Sequence, residues 1–331
     1  MVKPGAEELI DSFGRVHRDL RISITDRCDL RCTYCMPAEG LAWTPRAELL
    51  TPVEFERIAR VAVEMFGIGS IRVTGGEPLV RSDVVEIVGR LSRLGVDTAL
   101  TTNGTGLVRL AEPLADAGLA RINISCDTLR HDRFVELTRR DRLGQVLDGI
   151  EAANAAGFDP VKINVVLMGG VNDDEIGDWA RFGREQGVEV RFIEFMPLEA
   201  GGTWDPDVVV GHDVVLAEIE KVAPVRALAS GSAPAERYEY LDGAGSVGII
   251  ASVTKSFCHT CDRIRLTSTG QFRNCLFAHG GLDLAGILRS GGTDDEIAEL
   301  MRRSVADKWA GHGVGTPTFI RPKLTMSQIG G

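Results

Sequence analysis

The sequence predicts an α/β fold, namely an incomplete (βα)6 TIM-type barrel with a small α+β extension at its C-terminal end. Three observations lead to this prediction. Six short runs of β-forming residues alternate with amphipathic helical stretches between about residues 20 and 195. Several of these runs alternate polar and apolar residues, unlike the continuous apolar strands of a sheet that is buried on both faces. After Pro197 the alternation of strands and helices stops, and shorter elements follow.

The six predicted strands cover residues 21–25, 71–74, 97–101, 121–125, 161–166 and 190–195. Because side chains alternate along a strand, Arg21 and Ser23 lie on the face opposite to Ile22. The apolar face can pack on helices, but the polar face needs a hydrated or ligand-filled space, since buried unpaired polar groups are costly. Six strands are too few for the usual closed barrel of eight. We therefore expect a barrel with a wet interior and an opening at one side.

The predicted helices lie between these strands. The clearest begins at Thr51, which forms a capping box with Glu54 and is followed by Pro at the first helical position, and it ends at Gly67. Further helices are predicted over residues 83–94, 108–117, 143–156, 173–186 and 213–222.

The C-terminal part of the chain differs in character. Residues 227–236 are rich in small residues and proline and are interpreted as a linker. Short strands at 237–241, 247–250, 263–267 and 271–274 precede helices near 282–289 and 293–309. We therefore divide the chain into a barrel at residues 1–230 and an extension at residues 231–331.

Composition and charge exclude several classes of protein. The 331 residues include 37 basic and 47 acidic side chains, a net charge of −10, which argues against general nucleic-acid binding. No apolar stretch approaches the 18 residues of a membrane span, and the N-terminal segment lacks the apolar core of a secretory signal. The expectation is a cytoplasmic protein that binds neither membrane nor nucleic acid.

The seven cysteines are the strongest functional signal. Cys28, Cys32 and Cys35 are spaced C-x3-C-x2-C, and a second group near the other end of the chain is spaced C-x2-C-x13-C: Cys258, Cys261 and Cys275. A cytoplasmic chain keeps its thiols reduced, so these groups predict two metal sites rather than disulfides. Three thiolates can hold a 4Fe–4S cluster with one iron open, whereas structural zinc usually takes four protein ligands.

Alternatives remain for some of these residues. For a zinc site at the first group, only His17 or Asp26 could be suggested as the fourth ligand. The remaining cysteine, Cys126, is expected to be a small buried apolar group.

Two motifs resemble those of the radical S-adenosylmethionine (SAM) superfamily. Residues 28–35 read C-D-L-R-C-T-Y-C, which is similar to the cysteine signature of that superfamily, and they follow the first predicted strand. At the end of the second strand, residues 74–78 read T-G-G-E-P, which is similar to its GGEP motif. Loops that follow barrel strands carry the active sites of such folds.

A third motif narrows the resemblance. Residues 257–265 read F-C-H-T-C-D-R-I-R and are followed by Cys275, which closely resembles the C-terminal cluster motif of the GTP 3′,8-cyclase family. The chain end, residues 321–331, is also similar to the tail of that family. One departure is Asp262, where the family pattern has Asn. Asp262 adds a negative charge but is not a cluster ligand.

The resemblance implies a radical SAM enzyme. Two 4Fe–4S clusters would be held by the two cysteine groups, and SAM bound at the first would yield a 5′-deoxyadenosyl radical. That radical would take hydrogen from the ribose C3′ of GTP, and C3′ would attack C8 of guanine. The product would be (8S)-3′,8-cyclo-7,8-dihydroguanosine 5′-triphosphate, formed in the first step of molybdenum cofactor (molybdopterin) biosynthesis.

The resemblance also implies which residues form the site. SAM would be held by Tyr34, Gly76, Ser125 and Met196. GTP would be bound by Arg21, Arg72, Thr101, Lys162, Arg263, Ile264 and Arg265. A catalytic role falls to Arg263, Arg265, Gly330 and Gly331. Charge-assisted hydrogen bonds from Arg and Lys suit a triphosphate, and cations confined to a cleft of an acidic protein focus the field there.

The resemblance also implies partners for this protein. The expected partners are GTP, a flavodoxin- or ferredoxin-like electron donor, and the next enzyme, cyclic pyranopterin monophosphate synthase, which would take the product. The chain would be a monomer or a homodimer. A peptide-modifying radical SAM enzyme and an electron-transfer or zinc-stabilised binding protein are the alternatives. Lys162 could instead pair with Glu194, Ser125 could be a strand filler, and Met196 could be a core residue.

Overall fold

The computed structural model describes residues 5–198, 204–229, 233–316, 319–322 and 324–330. These residues form a twelve-stranded sheet in the order β12-β11-β10-β1-β2-β3-β4-β5-β6-β9-β8-β7. Its first six strands along the chain are β1 Asp19–Ser23, β2 Ser70–Thr74, β3 Asp97–Thr102, β4 Arg121–Ser125, β5 Lys162–Leu167 and β6 Glu189–Glu194. The others are β7 Val225–Ala227, β8 Glu236–Tyr240, β9 Ser246–Ile250, β10 Arg263–Leu266, β11 Gln271–Arg273 and β12 Leu282–Asp283.

Eight consecutive strands of the sheet run parallel. They extend from β10 through β1 to β6 and on to β9, while the outer pairs at both ends are antiparallel. No pairing closes the sheet into a ring among the described residues, because the strand order is linear. The predicted incomplete barrel is therefore confirmed, with all six predicted strands present. Strands β9 and β10 were also predicted, but their parallel pairing with β6 and β1, which extends the sheet on both sides, was not.

The eight predicted helices are present, together with two further helices that were not predicted. In chain order the helices of the described residues are α1 Pro52–Phe66, α2 Val84–Ser92, α3 Leu107–Asp116, α4 His131–Thr138, α5 Leu143–Ala155, α6 Ile176–Gln186, α7 His212–Val222, α8 Leu284–Arg289, α9 Asp294–Ala306 and α10 Met326–Ile329. The two that were not predicted are α4 and α10. In α1 the capping box is formed, since Thr51 accepts from the Glu54 backbone N–H at 3.2 Å and its own N–H donates to the Glu54 carboxylate at 2.7 Å. Within the described ranges, no helix is both long and apolar enough to cross a bilayer.

The two faces of the sheet have different roles. One face packs against the helices through side chains such as Ile22, Ile124 and Ile163, which are fully buried together with Phe55 of α1 and Trp179 of α6. The opposite face carries the polar members of the alternating strands. This is the arrangement that the alternating sequence predicts.

The C-terminal segment is not a separate layer. Strand β10 pairs with β1 from Asp19↔Arg263 to Ile22↔Leu266, and β9 pairs with β6 from Val190↔Val247 to Ile193↔Ile250. The two ends of the predicted linker belong to strands, since Ala227 ends β7 and Glu236 begins β8, while residues 230–232 lie outside the described residues. Strands from both sides of the predicted domain boundary at residue 230 therefore pair in one sheet.

Candidate active site

A cavity of about 310 Å³, counted as the space open to the centres of water molecules, lies on the polar face of the sheet. All eight parallel strands contribute to its lining, from Arg263 on β10 and Arg21 on β1 to Arg191 on β6 and Ile250 on β9. The sheet therefore curves around this space. Six of the seven cysteines line it, the three at residues 28–35 and the three at residues 258–275. The fold thus brings both cysteine groups to one site.

The first cysteine loop is joined to the glycine motif by main-chain hydrogen bonds. The N–H of Gly76 donates to the carbonyl of Thr25, and the N–H of Glu77 donates to that of Arg27, both at 2.7 Å. A Cβ atom on Gly75 would lie 2.6 Å from the Thr25 carbonyl oxygen, and one on Gly76 would overlap the carbonyl of Arg27. Both positions therefore require glycine for the close approach of two backbones. Gly76 also lines the cavity.

Glu77 fixes the end of β2 to the end of β3. Its carboxylate accepts hydrogen bonds from the N–H of Leu79 at 2.9 Å, the hydroxyl of Thr102 at 2.7 Å and the N–H of Asn103 at 2.6 Å. Burial raises the pKa of Glu77 to about 7, against the lowering effect of these hydrogen bonds. The sequence motif included Glu77, but this positioning role became visible only in the structure.

The rest of the cysteine loop is held from β3 and α4. Asp29 accepts from the side chains of Asn103 at 2.7 Å and Thr105 at 2.9 Å and forms an ion pair with Arg142 at 2.9 Å. The N–H groups of Arg31 and Thr33 donate to carbonyls at the C-terminal end of α4, each at 2.9 Å. Helix α4, which the sequence analysis missed, therefore supports the loop that carries Cys32 and Cys35.

A buried tyrosine–aspartate pair connects the loop to β5. The hydroxyl of Tyr34 donates to Asp127 at 2.6 Å, and the other carboxylate oxygen of Asp127 accepts from the N–H of Val166 at 2.9 Å. Burial raises the pKa of Asp127 to about 6. Sequence reasoning missed Asp127, because nothing in the local sequence indicates that it meets Tyr34.

The second cysteine group is assembled by the antiparallel pair β10 and β11. Cys258 and Cys261 precede β10, and the return of the chain through β11 brings Cys275 back to them. Arg15, from the N-terminal segment, donates to the carbonyl of Cys258 at 2.7 Å and to that of Trp309 at 2.6 Å. The N-terminal segment thus braces this group.

The two groups differ in their electrostatics. Burial raises the pKa of Cys28 to about 12 and that of Cys35 to about 11. For Cys258, burial opposes ionisation, but hydrogen bonding to His312 and Ser256 outweighs it and lowers the pKa to about 6. For Cys261, burial is likewise outweighed by the positive charges of Arg263 and Lys308, and the pKa is lowered. Thiolate, the form that binds metal, is therefore favoured at Cys258 and Cys261 by the protein itself, whereas burial raises the pKa of Cys275 as it does in the first group.

The donor set fits iron–sulfur clusters better than single metal ions. In the part of the chain that the structure describes, no three His, Cys, Asp or Glu side chains are close enough together to hold one metal ion. A four-iron cluster takes its thiolates at separate corners. The suggested zinc ligands are engaged elsewhere, because His17 contacts Lys308 at 2.9 Å and Asp26 accepts from the hydroxyl of Thr44 at 2.6 Å.

Arginines form a row across the floor of the cavity. In the strand register, Arg21 lies opposite Arg72 on β2 and opposite Arg265 on β10. The Nε atoms of Arg21 and Arg72 and the side-chain oxygen of Asn164 are buried and have no hydrogen-bond partner among the described residues. Burial and the neighbouring Arg21 lower the pKa of Arg72 to about 9. Because these buried guanidinium nitrogens have no partner in the described part of the chain, they require an anionic ligand or water in the cavity.

Most of the residues predicted to bind SAM and GTP line the cavity, but two of them do not. Those that line the cavity are Tyr34, Gly76, Ser125, Met196, Arg21, Arg72, Thr101, Arg263 and Arg265. Ile264 is fully buried between its two arginine neighbours and is absent from the lining, because side chains alternate along β10.

Lys162 lies at the beginning of β5 and is also absent from the lining. It is 8 % exposed, opposite Glu189 in the register, and Glu194 is not its partner. Glu194 instead accepts from the backbone N–H groups of Val253 and Thr254 at 2.7 and 2.8 Å. Cys126 is buried, as predicted, and its thiol faces the carbonyl of Thr128.

The C-terminal tail reaches into the barrel. Gly330 has a φ of +81°, and a Cβ atom there would lie 2.6 Å from Thr74 Cγ2 and 3.1 Å from Ser23 Cβ. Its carbonyl accepts a hydrogen bond from Arg265. Gly330 therefore fills a space between the ends of β1 and β2 that a larger residue could not occupy. Gly331, the other predicted tail residue, lies outside the described residues.

An open parallel α/β barrel with a three-cysteine loop after its first strand defines a radical SAM enzyme. Residues 22–183 match the radical SAM superfamily, and residues 188–314 match the Molybdenum Cofactor Synthesis C family. The chain belongs to the GTP 3′,8-cyclase family. It is 50 % identical to the GTP 3′,8-cyclase of Streptomyces coelicolor over 99 % of this chain and 98 % of that protein. It is 47 % identical to the GTP 3′,8-cyclase of Mycobacterium marinum over 99 % of this chain and 93 % of that protein.

A solved structure shows the same fold. The crystal structure of Streptococcus suis SuiB bound to S-adenosylmethionine has a TM-score of 0.60 to this chain, covering 93 % of this chain and 77 % of SuiB at 15 % sequence identity. At that identity the likeness concerns the fold. Together with the superfamily match it establishes a radical SAM architecture, with which SAM and a 4Fe–4S cluster are associated.

Proposed function

We propose that this protein converts GTP to (8S)-3′,8-cyclo-7,8-dihydroguanosine 5′-triphosphate, the first step of molybdenum cofactor biosynthesis. The observation that carries the proposal is the cavity itself. It combines two three-cysteine groups with a row of arginines, and these include Arg21, Arg72 and Arg265. A bare electron-transfer protein has no need for such a cationic floor. The family membership supports the same function.

Two 4Fe–4S clusters are proposed, one on each cysteine group. Cys28, Cys32 and Cys35 would hold the cluster that binds SAM, and Cys258, Cys261 and Cys275 would hold the second. When bound and reduced, the first cluster supplies the electron that cleaves SAM to methionine and a 5′-deoxyadenosyl radical. The chain's own contribution is to fix these cysteines, through the contacts of Asp29, Glu77 and helix α4, and to enclose the site.

SAM would lie against the first cysteine loop. Tyr34 and Gly76 offer backbone groups there, Ser125 offers a hydroxyl from the end of β4, and Met196 closes the side near β6. The Tyr34–Asp127 hydrogen bond keeps the loop at a fixed distance from β5. Asn164, whose side-chain oxygen has no partner among the described residues, lines the same space.

GTP would lie towards the second cysteine group. Arg263 and Arg265 alternate on β10, so both face the cavity, and Arg21, Arg72 and Thr101 continue this polar surface across three strands. Charge-assisted hydrogen bonds from these arginines suit the triphosphate. Ile264 could contribute through its main chain, since its side chain belongs to the core. Lys162 does not line the cavity, so its proposed contact with GTP rests on the family resemblance.

The C-terminal tail and two partner proteins are also part of the proposed function. Gly330 and Gly331 would approach the reacting groups, since the path of Gly330 between Ser23 and Thr74 already enters the barrel. A flavodoxin- or ferredoxin-like protein would supply the electron, and cyclic pyranopterin monophosphate synthase would take the product. The proposed location of the enzyme is the cytoplasm.

Anaerobic reconstitution with iron and sulfide, followed by incubation with SAM, dithionite and GTP, tests the function. The expected result is GTP-dependent formation of 5′-deoxyadenosine together with a cyclised nucleotide identified by mass spectrometry. ATP serves as the matched control substrate and should give no cyclised product. SAM cleavage without any cyclised nucleotide would overturn GTP cyclisation, and the absence of SAM cleavage would overturn radical SAM activity.

A further inference from the structure

A buried lysine contacts the second cysteine group from behind. Lys308 follows helix α9 and is 4 % exposed. Its Nζ lies 2.7 Å from the carbonyl oxygen of Arg263, 2.9 Å from His17 Nε2 and 3.7 Å from Cys261 Sγ. An ammonium has three protons to donate and accepts none. The carbonyl oxygen of Cys261 also lies nearby, at 3.5 Å. The ammonium therefore has four polar neighbours for its three protons, and one of them is a cysteine sulfur.

The histidine in this network is uncharged. His17 is fully buried, and its Nδ1 lies 3.2 Å from the carbonyl oxygen of Leu9, to which it must donate. That hydrogen bond leaves Nε2 as the acceptor for Lys308, the assignment that satisfies both contacts. Burial, followed by the charge of Lys308, lowers the pKa of His17 to about 4.

The nearby carboxylate is already used. Asp11 accepts from Arg15 Nε at 2.6 Å and from the backbone N–H groups of Phe13 and Arg15. Arg15 and Asp11 therefore balance each other's charges. Within the described ranges, no carboxylate forms an ion pair with Lys308, and the negative groups that act on it are Cys261 and Cys275 when their thiols are ionised.

A buried charge without a counter-charge is strongly unfavourable, so this arrangement makes sense when the cysteine group is anionic. The same ammonium also holds the carbonyl of Arg263, the residue proposed to bind GTP. Lys308 thus joins one sulfur of the second group to the main chain of a substrate-binding arginine.

We propose that Lys308 is a positioning residue that fixes Cys261 and Arg263 and, as the counter-charge of the second cysteine group, makes the reduction potential of the cluster bound there more positive. The proposal rests on the proposed function, which assigns a cluster to these cysteines. One-electron reduction adds a negative charge to the cluster, and a positive charge at short range inside the protein stabilises the reduced form. Hydrogen bonds to cluster sulfurs act in the same direction.

Redox titration of the anaerobically reconstituted full chain, monitored by electron paramagnetic resonance, tests this proposal. Lys308→Met removes the charge at similar volume, Lys308→Arg keeps it, and Lys221→Met serves as a control at an exposed lysine paired with Glu218. A full chain with Cys28, Cys32 and Cys35 replaced by Ala identifies the signal of the second cluster.

The expected result is a shift of the second cluster's midpoint to a more negative potential in Lys308→Met. A smaller shift is expected in Lys308→Arg, and none in Lys221→Met. The midpoint of the first cluster should not move in any of the three. A merely structural role would lower the melting temperature without moving the potential, and an unchanged midpoint in an iron-replete Lys308→Met protein would overturn the proposal.

If Lys308→Met fails to bind the second cluster, the midpoint is measured instead in Lys308→Gln, which keeps a hydrogen-bond donor but has no charge. A negative shift there supports the counter-charge, and an unchanged midpoint overturns it. If the wild-type chain itself binds one cluster instead of two, the two-cluster part of the proposed function fails, which is distinguishable from a failure of the Lys308 proposal.

Discussion

Arg265 donates a hydrogen bond to the main-chain carbonyl of Gly330, 65 positions further along the chain. This contact joins the arginine row of the cavity to the C-terminal tail. The guanidinium is buried and held at one end by the tail. A change at either residue should therefore affect the other, and the tail should be examined together with the arginines rather than as a frayed end.

The first prediction concerns the tail. Removing Gly330 and Gly331, or replacing Gly330 by Ala, should strongly reduce formation of the cyclised nucleotide while both clusters are retained. The alanine Cβ would meet Thr74 Cγ2, and the segment would be displaced from the barrel. Product is quantified by chromatography, and iron by colorimetric assay.

Gly157→Ala is the matched control for this tail variant. Gly157 has a similar φ of +86°, but nothing lies within 4 Å of a Cβ atom there. It should therefore carry the same backbone strain without the overlap and keep full activity. Full activity of the truncated chain would show that the tail is dispensable. A large drop in melting temperature would indicate misfolding instead.

The second prediction concerns metal content. Reconstituted wild-type protein should bind about eight iron and eight sulfide per chain, the content of two four-iron clusters. Replacing Cys28, Cys32 and Cys35 by Ala should halve both values, and so should the matching triple replacement in the second group. Cys126→Ala, at a buried cysteine bonded to Thr128, should change neither. Stoichiometric zinc, or loss of all iron from either triple variant, would contradict the two-cluster assignment.

The third prediction concerns the two arginines of β10. Arg263→Ala and Arg265→Ala should each weaken GTP use about ten- to a hundred-fold, since one charge-assisted hydrogen bond is worth roughly 1.5–3 kcal/mol. Iron content and uncoupled SAM cleavage should remain. Arg→Lys should restore little at either position, because the fork geometry is lost.

A surface arginine gives the control for these variants. Arg226, on β7, is paired with Glu239 at the surface, and Arg226→Ala should leave kcat/KM unchanged. Wild-type cyclisation in both cavity variants would remove this pair of arginines from the site.

The fourth prediction concerns pH and His17. The pKa of His17 is lowered to about 4 in the folded chain from its usual 6.5, so the unfolded chain binds the proton at higher pH. The stability contributed by neutral His17 is therefore complete above about pH 6.5 and is lost as the pH falls towards 4. The loss is on the order of 3 kcal/mol over that interval.

His17→Gln should flatten this part of the profile of melting temperature against pH, relative to the wild type. His131→Gln, at an exposed histidine paired with Asp141, should leave the profile as it is. Profiles of equal slope in wild type and His17→Gln would show that His17 does not titrate in this way.

The local sequence predicted the elements whose signals are local. The capping box at Thr51 and the polar–apolar alternation on β1 both appear in the structure where expected. The spacing of the two cysteine motifs predicted six site residues, and all six line one cavity. Helix α4 was not predicted, because it is short and the side chain of its N-cap residue, Arg130, forms no capping hydrogen bond.

Contacts between distant segments could not be predicted from the sequence. Nothing near Asp127 indicates that it receives the hydroxyl of Tyr34, and nothing near Lys308 indicates that it meets Cys261. That Lys162 lies opposite Glu189 and outside the cavity lining depends on the strand register, which a motif does not specify. Such relationships arise only when the sheet is assembled.

The placement of β9 and β10 has a consequence for how this protein can be divided. These two strands cover the outer sides of β6 and β1, where open main-chain donors and acceptors would otherwise invite pairing with another chain. A gene fragment that ended near residue 230 would produce a barrel with two bare edges prone to self-association. Expressing the two parts of this chain as separate proteins would therefore separate strands that pair in one sheet.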